Sequence, residues 1–362
     1  MLIPTKPLDA ALTAASRFSG GRSPNEAYSK VKLYDQGGTL RISAGNGCGR
    51  IEVNSGIECS SCAAVLEFSQ LHAAIRASNL GEVEITFGDG VIIKAGKSKI
   101  TLPIFDLPWP APIATIREGV TVDTSEFASA PSKLAFISST KEMSFAQGQR
   151  LYSKDGTLQV LASSGRVTGG VMLPCDGNVD VVIPHESMDA MAMALKKFGE
   201  KSTVFRQLDG AVTMCSGPVT MLLPTTSGKL PWPREAFDKV VGPIEQWIVP
   251  RQEVSDFLAQ VAIFTTEFCT GVDIRPTGAG LEMEFNGLHD EGTQGTFSSG
   301  TCSIVIDGKA SGSPVIVRHE AFRKMIDQCS DDYILKGSEK GVAVISGNFF
   351  AVHSGITRMS NK

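Results

Sequence analysis

The chain has 362 residues, 42% of them hydrophobic and 20% charged, with a formal net charge of −4. That length fits two or three domains, and the balanced composition excludes a disordered chain and a generally basic coat for nucleic acid. No apolar run reaches the ~18 residues of a membrane span. The eight cysteines are too sparse for a disulfide scaffold, and MLIPTKPLDAALTAASRF lacks the basic leader of a secretory signal. A reduced, cytoplasmic setting with no membrane contact is the expectation.

The first predicted element is a short strand at Leu2-Ile3, leading into a helix over 6–18 with Leu8, Leu12 and Ala15 on one face. Turn-punctuated strands then reach a second helix over 68–80, with Leu66 five residues before Leu71. A hairpin follows, turning at Gly88-Asp89-Gly90. The same order returns from Val120-Thr121-Val122, with helices over 125–141 and 185–198, Ile183 five residues before Met188, and a turn at Gly210. Pro131 would remove a hydrogen bond inside the first of these helices, so that helix is expected to begin near the proline. A third pass starts at Trp247-Ile248-Val249. Its helices cover 251–264 and 318–329, Val317 stands five residues before Phe322, and its turn is at Gly341.

The spacings repeat together. Leu8 to Phe127 is 119 residues, Leu66 to Ile183 is 117, and Gly90 to Gly210 is 120; the next intervals are 127, 134 and 131. Three landmarks moving in step indicate an internal triplication. Pro108, Pro110 and Pro112 mark one junction and Gly242-Pro243 the other. The expected domains are 1–118, 119–243 and 244–362.

Four islands of sequence carry a family likeness. They are Gly20-Gly21-Arg22 with Gly38-Thr39-Leu40, LQVLASSGRVTGGVMLP (158–174), GKLPWPREAF (228–237) and VAIFTTEFCTGVDI (261–274). With the length and three-repeat order, they resemble the bacterial sliding clamp, the DNA polymerase III beta-subunit family, over the whole chain. The resemblance implies an α+β fold of three tandem DNA-clamp repeats, each with two helices packed on antiparallel sheets. It also implies closure into a ring as a head-to-tail homodimer around double-stranded DNA, bound without regard to sequence. Such a protein is a non-catalytic processivity factor with no cofactor. Its partners are a DNA polymerase catalytic subunit and a clamp loader, held through a hydrophobic peptide pocket.

A sliding channel needs Lys and Arg without convergent base readers. Arg22 matches the family's DNA-touching loop, and Lys196, Lys197, Lys201, Arg323 and Lys324 are further candidates. The six predicted helices together carry +3 against −4 for the whole chain. In the partner pocket the matching positions are Ser163, Gly165, Arg166, Val167 and Thr168, followed by Pro231, Arg234 and Ala236. Val342, Val344, Gly355 and Ile356 would complete it. At the subunit interface, Lys97 and Lys99 match a basic pair, and Ile263 and Phe264 an apolar pair that could instead belong to the core. Thr168, Glu235 and the tail ITRMSNK depart from the family pattern, so a clamp-like phage or plasmid homologue with altered partners is an alternative.

Other motifs point elsewhere. Cys59-Ser-Ser-Cys62 lacks the second ligand pair of a structural zinc and reads as buried strand cysteines. Gly96-Lys97-Ser98 precedes a strand, where a phosphate loop needs a helix. Ser138-Ser-Thr-Lys141 fits the SxxK pattern, with Ser346-Gly-Asn348 and His353-Ser-Gly355 as weak companions. The rival from a different class is therefore a serine acyl-transferase or hydrolase using Ser138 and Lys141. His72, His185, His289, His319 and His353 form no metal-ligand pattern, and His185 and His319 open equivalent helices.

Overall fold

The computed structural model describes residues 1–20, 26–78, 80–138, 148–227, 234, 247–265, 270–286, 300–307, 314–330, 332–338 and 341–355. Its elements run through one order three times. The first pass is β1 (Leu2–Pro4), α1 (Thr5–Ala15), β2 (Lys30–Gln36), β3 (Thr39–Asn46), β4 (Gly49–Glu58), β5 (Ala63–Glu67), α2 (Phe68–Ala77), β6 (Glu82–Phe87), β7 (Gly90–Ala95) and β8 (Ser98–Pro103). The second is β9 (Val120–Asp123), α3 (Thr124–Ser138), β10 (Gly148–Lys154), β11 (Thr157–Ser163), β12 (Val167–Pro174), β13 (Asp180–Pro184), α4 (His185–Phe198), β14 (Ser202–Leu208), β15 (Ala211–Ser216) and β16 (Val219–Pro224). The third is β17 (Trp247–Pro250), α5 (Arg251–Phe264), β18 (Gly271–Thr277), β19 (Gly280–Asn286), β20 (Thr301–Asp307), β21 (Val315–Arg318), α6 (His319–Asp327), β22 (Asp332–Ser338), β23 (Gly341–Ser346) and β24 (Phe349–Ser354).

The helices form where the apolar spacing required. Val254, Phe257, Leu258 and Val261 are the buried face of α5, and Phe322, Met325 and Ile326 that of α6. Strands alternate as a half-buried pleat demands: Val83 and Ile85 of β6 point inward between exposed Glu82 and Glu84. Gly90 and Gly341 open β7 and β23, whereas Gly210 lies in the turn with φ +69°, one residue before β15.

The expected start of α3 is corrected: the helix begins at Thr124 and carries Pro131 inside it. Asp123 Oδ1 accepts the Glu126 N–H at 3.0 Å and the Ser125 hydroxyl at 2.7 Å, fixing the first turn. Phe127, Ala128, Ala130, Leu134 and Ile137 are buried, and that burial sustains the helix across the proline's lost hydrogen bond. Phe127 stacks on Phe205 of β14 at 5.6 Å between ring centroids.

The chain divides into two compact units, Met1–Ser132 with Leu151–Leu158 and Leu173–Gly228, and Lys133–Arg150 with Gln159–Met172 and Lys229–Lys362. Within the first, β5-β2-β3-β4-β16-β15-β14-β9 make one eight-stranded sheet and β1-β6-β7-β8 a four-stranded one. There β4 and β16 pair antiparallel, with Arg50 opposite Leu222 and Val53 opposite Val219. Helix α1 packs on β3 and β4 and against α2 and α4. In the second unit, β20-β19-β18-β21 form a four-stranded sheet, and α5 packs against α6. A second eight-stranded sheet runs β13-β10-β11-β12-β24-β23-β22-β17. The repeats are thus joined by strand pairing, β4 to β16 and β12 to β24.

Candidate functional site

The predicted pocket residues gather around the β12–β24 pairing. Val167 lies opposite His353, and His353 opposite Val342 on β23; Gly169, Ala351 and Val344 form the next row. Directly opposed residues share a face of the sheet, so Val167, Val342 and Val344 point the same way. All three are buried. The space beyond Gly169 is occupied by Ile137 of α3, 2.9 Å from where a Cβ would stand, so this face is core.

Thr168 belongs to the other face, along with Gly170 and Met172 of β12 and Phe350 and Val352 of β24. Thr168 shares a hydroxyl hydrogen bond of 2.8 Å with Ser163 of β11. Gly170 is covered by its neighbours: a side chain there would meet the buried Leu161 at 2.6 Å and the buried Phe350 ring at 2.8 Å. Arg234 is half-buried beside them. Its N–H donates to Gln159 Oε1 at 3.0 Å, and its guanidinium lies 3.3 Å from Met172 Sδ and 5.4 Å from the Phe350 ring centre. The predicted set therefore divides: Thr168, with Ser163 and Arg234, lies on the Phe350 side of the pairing, whereas Val167, Val342 and Val344 lie on the core side.

Ser164 Oγ accepts the Val167 N–H at 3.1 Å, and Gly165 takes φ +82°. Arg166 is exposed, and its carbonyl accepts the Ser354 N–H at 2.9 Å. Gly355 is half-buried just past β24. Pro231, Ala236 and Ile356 lie outside the described residues. Met172, Phe350 and Leu161 were not singled out from sequence, although Leu161 and Met172 both fall within the quoted LQVLASSGRVTGGVMLP run.

His353 is buried, and that burial, opposed by hydrogen bonding to the Ser354 backbone and aided by the nearby positive charges of Arg318 and Arg166, holds its pKa below the ordinary histidine value.

Of the predicted DNA-facing cations, Lys196 and Lys197 lie exposed on α4 and border a cleft of 430 Å³ in the first unit. Arg17, just past α1, shares that cleft and was not anticipated. Lys196 donates to Ser132 Oγ at 3.1 Å. Lys201 is exposed beyond the end of α4. Arg323 and Lys324 are exposed on α6, where Lys324 pairs with Glu320 at 2.6 Å. Arg22 lies outside the described residues.

At the predicted interface, Lys97 and Lys99 are exposed on and beside β8. Ile263 is 75% exposed and hence not core, while Phe264 is half-buried near Gly300. Among the described residues, β8 and β20 end their sheets without a further strand, and Ile100 on β8 and Val305 on β20 are 38% and 55% exposed.

The acyl-transfer reading is not favoured: Ser138 is 2% exposed, and its hydroxyl donates to the Leu134 carbonyl at 3.2 Å and accepts from Gln149 Nε2 at 3.4 Å. Lys141 lies outside the described residues. Cys59 and Cys62 are buried, but in the connection between β4 and β5 rather than in strands. Burial is the main cause that pushes the Cys62 thiol up to about 12. Among the described residues no group of three or more metal-ligating side chains occurs, and no helix is long and apolar enough to cross a membrane.

A strand-helix order repeated three times, with repeats joined by sheet pairing, is the fold of the DNA polymerase sliding clamps. The likeness spans the whole chain. The sliding clamp of Bacillus subtilis is 13% identical with TM-score 0.80, covering 98% of both chains. The DNA polymerase III subunit beta of Pseudomonas aeruginosa is 14% identical with TM-score 0.81, covering 98% of this chain and 99% of its own. The Helicobacter pylori beta clamp bound to a DNA ligase peptide is 13% identical with TM-score 0.75, covering 99% and 100%. No family model matches the sequence, and no curated protein matches it.

Proposed function

We propose that this chain is a sliding clamp, a non-catalytic ring that encircles duplex DNA and tethers a polymerase and other partners by short peptides. The observation that carries the reading is the pair of open edges, β8 and β20. In the order of elements β8 is the counterpart of β16, and β20 the counterpart of β4 and β12. Within the chain those counterparts join repeats, β16 to β4 and β24 to β12. Pairing β8 of one copy with β20 of another repeats the same junction, removes both exposed edges and makes a heterologous contact that two copies can close.

Ile100, Val305 and Ile263 then lose their exposure, with Lys97 and Lys99 beside them. The domains are 1–118, 119–243 and 244–362, and a dimer presents six repeats around one hole. Arg17, Lys196 and Lys197 supply phosphate contacts without base readout, supported by Lys201, Arg323 and, through its loop, Arg22. The face of the β12–β24 pairing that carries Thr168 and Arg234 takes the polymerase and clamp-loader peptides, as the Helicobacter pylori clamp takes a ligase peptide. Tethering through a closed ring raises local concentration in place of tight DNA binding. The setting is cytoplasmic and no cofactor is needed.

Sedimentation equilibrium tests the assembly. A mass twice the 38.4 kDa of one chain is expected. A monomer at every concentration would remove the ring.

A further inference from the structure

We infer that the first unit carries a second peptide-docking groove, suited to a short extended segment with an apolar anchor flanked by lysine or arginine. It goes beyond the partner site proposed at the β12–β24 pairing and shares with that reading only the ligand class.

A cavity of 720 Å³ opens where β4 meets β16, within the size range of ligand sites. One wall is the segment 107–110, with Trp109 held by its Nε1–H donating to Ser43 Oγ at 3.0 Å. The opposite side is made by the β3–β4 turn at Gly47, the β14–β15 turn at Gly210, and Leu222 and Pro224 of β16. In element order the β3–β4 turn and the end of β16 are the counterparts, one repeat earlier, of the β11–β12 turn at Gly165 and the end of β24.

The groove's charge names its occupant. Among the described residues Arg50 is its only lining cation, and it is engaged already: its guanidinium donates to the Ala111 carbonyl at 2.8 Å and lies 3.7 Å from Glu52. Glu26 lines the groove and is exposed. Asp106 and Asp209, both exposed, directly precede the lining residues Leu107 and Gly210. An apolar, proline- and tryptophan-walled slot with acidic residues at its rim repels a phosphate backbone. It suits an aliphatic or aromatic side chain carried between basic neighbours.

The test uses the full chain and two fluorescein-labelled octapeptides, Gly-Lys-Ser-Leu-Phe-Ser-Lys-Gly and its counterpart with Glu in place of each Lys. Gly47→Arg blocks the groove. A Cβ there meets nothing within 4 Å and no positive φ is required, so thermal unfolding is expected to stay unchanged. Binding by anisotropy is expected for the lysine peptide, weakened ~10-fold or more by Gly47→Arg and by the Lys-to-Glu exchange. Deletion of residues 356–362, which include Ile356 of the other proposed pocket, is expected to leave it intact. Four results would overturn the inference: no binding of the lysine peptide up to about 1 mM, equal binding of the glutamate peptide, binding that survives Gly47→Arg, or loss on tail deletion alone, which would place the peptide at the β12–β24 pairing.

Discussion

Replacing Ile263 by aspartate is expected to dissociate the ring without unfolding its subunits. Full burial of an isoleucine is worth about 1.5–3 kcal/mol. Ile263 is 75% exposed in the single chain, so closing a neighbour over it gains about 1–2 kcal/mol at each junction. A two-subunit ring contains that junction twice, which makes the loss about 2–4 kcal/mol per dimer, or roughly 30- to 1000-fold in Kd. The buried carboxylate adds a desolvation penalty in the same direction. Sedimentation equilibrium across a dilution series reads the dimer Kd. Urea unfolding of the dissociated chain should differ from the parent by less than about 0.5 kcal/mol, as for other exposed positions. An unchanged dimer Kd would refute the argument, because it would place Ile263 away from the subunit contact.

Further outcomes follow from other parts of the molecule. Gly170→Val should cost about 1–3 kcal/mol by overpacking against Leu161 and Phe350, read as a lower urea midpoint at constant slope. Exchanging Arg17, Lys196 and Lys197 for glutamate should flatten the salt dependence of DNA affinity by about 2–3 units of log K against log salt if each makes one phosphate contact; an unchanged slope would move the DNA elsewhere. Burial keeps the folded-state pKa of His353 below its unfolded value. The unfolded chain therefore takes up the proton first, and stability that is full above pH ~6.5 is lost as pH falls toward the folded value. Urea midpoints at successive pH values should show that decline, and His353→Phe should reduce it. A fluorophosphonate probe is expected to leave no adduct on Ser138 in the native chain; an adduct abolished by Ser138→Ala would revive the acyl-transfer reading.

The repeat architecture was legible because its landmarks are local. The helices begin at Thr5, Thr124 and Arg251, and at Phe68, His185 and His319, so the intervals 119 and 127, and 117 and 134, reappear as structure. The site was less legible because its geometry is not local. Whether Val167 or its neighbour Thr168 lies on the core face depends on pairing with a strand about 180 residues away, and a period of two sends adjacent residues to opposite faces. Pro131 misled for a related reason: propensity opposed a helix that Asp123 and a buried apolar face maintain. Arg17 fell inside the predicted helix over 6–18 but was not singled out, because only folding places it beside Lys196 and Lys197.

Topology tests the central claim most directly. The protein, loaded by its clamp loader onto nicked circular DNA and separated from free protein by gel filtration, should travel with the DNA at high salt and leave it when one restriction cut linearises the circle. Release at the same rate from circular and linear DNA would contradict encirclement.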